Sequence, residues 1–175
     1  HGTCCAVIIA AIDNSIGVKG VAPNCHILPV RIMETNSTSD DEHLVIGMNY
    51  AWEIANADVI SCSWSGLGSS INDLDDEISY ALELGRDSLG CVVVFATGND
   101  NTSVYYPANS NSDIIAVGAI NPWGERKSPN SSDGESWYRG YPFNDYLGGS
   151  NYGTELYIIA PGIFITTTDI EGSAG

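Results

Sequence analysis

The chain has 175 residues, 43% hydrophobic and 16% charged, a balance that describes a folded globular domain and excludes a disordered one. A formal net charge of −16 repels phosphate backbones and argues against nucleic-acid partners, and no apolar run is long enough for a membrane-spanning helix. The five cysteines, Cys4, Cys5, Cys25, Cys62 and Cys91, are odd in number and contain no CxxC pair, which speaks against a zinc site, a redox motif or a disulfide framework while leaving one bridge open.

In chain order, Thr3–Ala11 is rich in Cys, Ala, Val and Ile and reads as a helix. His26–Ile32 reads as the first strand. A helix follows from about Asp40 to Asn56, with Ser39 and Glu42 in the pattern of a capping box and Leu44, Met48, Ala51, Trp52 and Ala55 on one face. Asp58–Ser63 reads as a strand. Ile71, Leu74, Ile78, Ala81 and Leu82 then repeat at helical spacing, predicting a helix over about Asn72 to Leu84. Its acids Asp73, Asp75, Asp76 and Glu77 suit the positive end of the helix dipole rather than chemistry. Cys91–Ala96, Ile114–Ile120 and Leu156–Ala160 complete five strands, several nearly continuous in Val, Ile and Leu. Such strands are expected to be buried on both faces of a parallel sheet. Cys62 and Cys91 lie in these runs and read as small buried hydrophobes. Residues 127–149, rich in Ser, Gly, Asn, Asp, Trp and Tyr, read as a long surface-loop insertion. The alternation of strand and helix predicts an α/β class with a three-layer, mostly parallel, doubly wound sheet.

In such sheets a ligand lies beyond the carboxyl ends of the strands. Three segments therefore qualify: Ser63–Gly68, Thr97–Asn101 and the turn after Ala160. Gly98-Asn99 at the end of a buried strand presents an amide that can donate to a developing oxyanion, although Gly-Asn is also a common turn pair. Ser63-Trp64-Ser65-Gly66 leaves backbone amides and carbonyls open, an edge to which an extended peptide can add as a strand. Neither Ser63 nor Ser65 sits in a GxSxG nucleophile turn, so both read as substrate-lining residues. No GxGxxG or P-loop follows a strand, which leaves an unrelated nucleotide-binding domain without support.

Six segments carry a resemblance to the subtilisin-like serine peptidases. They are His1-Gly2-Thr3-Cys4-Cys5-Ala6 with Asn14–Val18 and Gly20–Pro23, then Thr97-Gly98-Asn99, Tyr106-Pro107-Ala108, Ile115–Ala119, Ser150–Gly153 and Ala160-Pro161-Gly162, in the family's order. The resemblance implies peptide-bond hydrolysis by an Asp-His-Ser triad. His1 is then the general base and Asn99 the oxyanion donor. Ser63, Trp64, Ser65 and Gly66 would bind the substrate backbone, with Ser65 standing where the family usually has Gly. Ala96, Gly98 and Ala108 would line the pocket for the residue before the scissile bond, and their small size suggests room for a sizeable side chain. Cys5 falls where one branch of the family keeps a thiol beneath the catalytic His.

The resemblance further implies a calcium loop, with the carbonyls of Ile12, Ile16 and Val18 and the side chain of Asn14 as ligands. The family completes that set from upstream segments, so a weak or broken site is expected here, and no cofactor is needed for the chemistry. The family's Asp precedes the His, and its Ser lies in a Gly-Thr-Ser motif after the Ala160-Pro161-Gly162 region. Ser173 lacks that context. The first residue is His rather than Met, and neither the family's Asp strand nor its Gly-Thr-Ser motif is present, so the resemblance implies a single partial peptidase domain, truncated at both ends. In isolation it is expected to be inactive and prone to self-association through uncovered apolar surface. A polypeptide substrate and a secreted or cell-surface location follow from the family. A non-catalytic peptide-binding or scaffold protein on the same fold is the alternative. Asn36, Asn101 and Asn130 form N-x-S/T sequons, relevant only in a glycosylating source.

Overall fold

The computed structural model describes residues 1–33, 40–133, 137–138 and 147–168. The chain divides into two compact units, His1–Pro29 with Phe164–Gly175, and Val30–Ile163.

The first unit is built on α1 (Gly2–Ala10). The loop after it folds back on the helix's last carbonyls: Gly20 N donates to Ala11 O (2.9 Å), Val21 N to Ile8 O (3.0 Å) and Ala22 N to Ile9 O (2.7 Å). These bonds satisfy groups that a helix end otherwise leaves orphaned. A Cβ on Gly20 would stand 2.4 Å from Ala11 N, so only glycine permits this return. Although apolar around its circumference, α1 has no fully buried residue within the described structure.

The second unit holds α2 (Asp41–Asn49), a π-helical turn (Tyr50–Ile54), β1 (Val59–Cys62), α3 (Asn72–Ser88), β2 (Val92–Ala96), β3 (Ile115–Ile120), the short strands β4 (Trp137–Tyr138) and β5 (Leu147–Gly148), and β6 (Ile158–Pro161). Strands β1, β2, β3 and β6 form a parallel sheet in the order β1-β2-β3-β6. Leu44, Met48 and Ala51 join Leu74, Ile78 and Ala81 of α3 against Ile60, Cys62, Val93, Phe95 and Ala116 to form the hydrophobic core. Pro161, which cannot donate to a ladder, ends the edge strand β6, where its missing donor costs least.

The α/β class, four of the five strands and the three helices agree with the sequence reading; several details do not. His26–Ile32 is not a strand. None of its backbone groups joins a ladder among the described residues, and a strand exists only through such partners. The helix from Asp40 widens into a π turn at Tyr50–Ile54 instead of continuing to Asn56. Its N-cap is Asp40, without a side-chain cap bond; Ser39, like Asn36, lies outside the described residues. Burial alternates along β1 and β2 rather than covering both faces, and Val59 stays 57% exposed. Residues 127–149 are not simply a surface loop. Lys127 and Gly149 are buried, and β4 pairs antiparallel with β5; residues 134–136 and 139–146 lie outside the described structure.

All five cysteines are free. Burial pushes the Cys62 thiol up to about 12 from its ordinary 9.0, and burial likewise raises Cys91, whose Sγ donates to Ala57 O. The stability from keeping Cys62 a neutral thiol is therefore present below pH 9.0 and declines as pH climbs towards 12. A thiol-disulfide reagent at pH 8 should modify exposed Cys25 first and reach Cys62 and Cys91 only after unfolding. Mass-spectrometric mapping of the labelled cysteines against time checks this order.

Candidate active site

The carboxyl ends of β1 and β2 lie side by side, because Cys62 pairs in register with Phe95. Beyond β1 the chain leaves the sheet. No backbone hydrogen bond engages Ser63, Trp64 or Ser65 among the described residues, and pairing resumes at Gly66, whose N–H donates to Tyr106 O (3.0 Å). The Trp64 ring stands edge-on to Phe95 at 5.0 Å, anchoring the segment to the core while its backbone stays open. Gly66, at φ +81, supplies a turn that L side chains disfavour.

Beyond β2, Thr97 and Gly98 are buried and Asn99 is exposed. The loop they begin is held from beneath by Asn151, a fully buried residue. Its Oδ1 accepts from Asp100 N (2.9 Å) and Thr102 N (3.2 Å), and its Nδ2 donates to Thr97 O (3.0 Å). The Asn151 N–H also donates to Gly98 O (3.0 Å). Gly98 has φ +104, and a Cβ there would stand 2.4 Å from Asn151 Nδ2, so the loop and its clamp require glycine. On the other side, Gly149 N donates to Asn99 O (3.0 Å) and Asn101 N to Gly149 O (2.8 Å). Arg126 Nη1 donates to Asn101 Oδ1 (2.9 Å) and Ser150 O (2.6 Å), with its guanidinium over the Tyr152 ring. The Asn99 side chain makes no internal hydrogen bond among the described residues. A donor fixed through its backbone but unspent at its side chain is suited to an outside acceptor.

Tyr106 ties this region to α3. Its hydroxyl donates to Ile71 O (3.2 Å) and accepts from Ile71 N (3.1 Å); burial pushes its phenol up to about 12, so it stays protonated at neutral pH. Ala96 is half-buried. Ala108 belongs to the hydrophobic core at 2% exposure, beneath the surface a substrate would touch.

In the first unit, His1 is the exposed N-cap of α1. Cys5 Sγ lies 3.9 Å from His1 Nδ1, one helical turn along, as the resemblance implies for the thiol. The loop of Ile12, Asn14, Ile16 and Val18 bends through Ser15 and Gly17, both at positive φ. Its one ligand side chain is engaged, since Asn14 Oδ1 accepts from Ile16 N (3.0 Å). Asp13 pairs with Lys19 at 2.6 Å. Three carbonyls and one shared amide oxygen fall short of the six to eight oxygens calcium takes, and no cluster of three acidic, Cys or His side chains stands in for them among the described residues. These residues alone do not make a calcium site.

Comparison with known proteins decides the family. The model of the Subtilase family matches residues 1–173. The chain belongs to the subtilase family. It is 34% identical over 181 residues to subtilisin E of Bacillus subtilis (strain 168), covering 100% of this chain and 40% of that protein. It is 32% identical over 162 residues to a calcium-dependent protease of Nostoc sp. (strain PCC 7120 / SAG 25.82 / UTEX 2576), covering 83% of this chain and 23% of that one. A solved protease structure from Pseudoalteromonas arctica PAMC 21717 superposes with a TM-score of 0.72 at 30% identity, over 93% of this chain and 43% of that chain. The psychrophilic subtilisin-like protease Apa1 from an Antarctic Pseudoalteromonas superposes at 0.69 and 25% identity, over 93% and 32%. This subtilase chain thus has the three-layer α/β fold of subtilisin-like proteases, and it spans less than half the length of these relatives.

Two supports escaped the sequence reading. Asn151 was legible only as part of the Ser150–Gly153 landmark, with no sign that it is a clamp. Tyr105, beside the Tyr106-Pro107-Ala108 landmark, carried no signal of its own.

Proposed function

We propose that this chain is part of the catalytic domain of a secreted serine endopeptidase. The observation that carries the reading is the unpaired backbone of Ser63–Ser65 at the end of β1, next to the clamped Gly98-Asn99 turn at the end of β2. An extended polypeptide adds to the first, and the second offers an amide to the carbonyl oxygen as it becomes an oxyanion. Ser63, Trp64, Ser65 and Gly66 bind the substrate backbone, and Ala96 and Gly98 line the pocket for the side chain before the scissile bond, with Ala108 behind them. His1 takes the proton from the nucleophilic serine and returns it to the leaving amine.

The triad's Asp and Ser come from segments outside residues 1–175, so the chain alone turns nothing over. The loop at Ile12, Asn14, Ile16 and Val18 contributes to a calcium site only when further ligands join it. The exposed apolar side chains Val59, Val92, Ile158 and Ile159 favour self-association of the isolated chain. No helix is long and apolar enough to cross a membrane among the described residues.

In the complete protease, Asn99→Leu should lower kcat by about 10²–10³-fold with little change in KM, because the lost bond forms only in the transition state. Unchanged turnover would remove Asn99 from the reaction. A serine-directed fluorophosphonate should label the complete protein and leave the 175-residue chain unlabelled; labelling of the short chain would overturn the division of the triad.

A further inference from the structure

The strand-end segments that flank the proposed substrate pocket are joined at its floor by residues 105 and 106. Tyr105 N donates to Thr97 O (3.0 Å) on one side, and Tyr106 O accepts from Gly66 N (3.0 Å) on the other. The Tyr105 ring rises between them. A Cβ on Gly98 would stand 2.8 Å from Tyr105 Cδ2, and one on Gly66 3.6 Å from the same atom. Both walls are glycine where the ring meets them, so the space released by two absent side chains is taken by the ring. The sequence expectation of room for a sizeable side chain counted Ala96, Gly98 and Ala108 and left out the residue lying between the walls.

We propose that Tyr105 is the specificity-determining residue of this site, and that its ring restricts the side chain before the scissile bond to small residues such as Gly, Ala or Ser. This rests on reading Ser63–Gly66 and Ala96–Gly98 as the substrate groove. A Phe or Leu side chain entering between Gly66 and Gly98 meets the ring within van der Waals distance. It has to displace the half-buried ring or remain outside, whereas a methyl group is small enough to stay above it. Close-packed interiors resist such insertion, and a pocket discriminates by the volume it denies.

The test needs no turnover and uses the complete protease. Cleaved-product peptides of one sequence, ending in Gly, Ala, Val or Phe with a free carboxylate, are titrated by calorimetry. Backbone amide chemical shifts of Gly66 and Gly98 report where they bind. The wild-type chain should bind the Ala-ended peptide about tenfold or more tighter than the Phe-ended one. Tyr105→Ala should reverse that order, and Tyr105→Phe, which keeps the ring, should preserve it. If the Ala variant does not fold, the wild-type size series and the Phe variant still decide the matter. Equal affinity for all four peptides at these amides would overturn the role of Tyr105 while leaving the groove intact. Absence of binding at Gly66 and Gly98 by every peptide would overturn the groove, and the inference with it.

Discussion

Replacing Asn151 by Leu should cost about 3–5 kcal/mol of folding stability and abolish turnover of the complete protease. The side chain is fully buried and serves three backbone groups at once, the N–H of Asp100, the N–H of Thr102 and the C=O of Thr97. Leu has a similar volume but no polar atom, so the three backbone groups lose the partner that Asn151 supplies. Each orphaned group costs roughly 1–3 kcal/mol, far more than the net value of the bond it made. The loop that carries Asn99 would have to open to recover solvent. Stability and catalysis should therefore fall together, unlike Asn99→Leu, which removes an exposed side chain and leaves the clamp untouched. Asn151→Asp separates the two halves of the clamp. It keeps acceptors for Asp100 and Thr102, but as a carboxylate it loses the donor to Thr97 O and buries a charge, so at neutral pH it should cost at least as much as the Leu change. Urea midpoints of the three variants check the ranking. An Asn151→Leu chain with the wild-type midpoint would show that the loop is held by other bonds.

Strand and helix positions were legible because they depend on local pattern. Ile71, Leu74, Ile78 and Ala81 repeat at helical spacing, and α3 keeps helical backbone angles until Gly85, where the pattern stops. The runs around Ile60, Val93 and Ala116 became the central strands. His26–Ile32 is also rich in Ile, Leu and Val but pairs with no strand among the described residues, and pairing is not a local property. The candidate site divides in the same way. Asn99 and the Ser63–Gly66 segment could be found because strand ends and turn pairs mark them. Asn151 lies about fifty residues from the loop it holds, and Tyr105 matters through glycines on two other segments. Both act through contacts that only the folded chain assembles.

A buried ion pair supports the same loop from further away, and breaking it should be about as costly. The Lys127 ammonium and the Asp133 carboxylate have fully buried side chains and form an ion pair. Asp133 Oδ2 also accepts from buried Asn121 Nδ2 (3.2 Å). Around this pair the backbone of Lys127 bridges sheet and loop: its N–H donates to Ala119 O (2.9 Å), and its O accepts from Ser150 N (2.8 Å). Gly149 packs on it so closely that a Cβ would stand 2.9 Å from Lys127 O, and Gly149 in turn holds Asn99. Lys127→Met keeps the length of the side chain and removes the charge, so the buried ion pair loses its cation. Such a change costs about 3–5 kcal/mol, whereas replacing both partners by apolar residues is often near neutral. The double variant Lys127→Met, Asp133→Leu should therefore recover most of the loss, and a double-mutant cycle by urea denaturation measures it. A cycle with no coupling would mean that water reaches the pair and that the carboxyl end of β2 gains nothing from it.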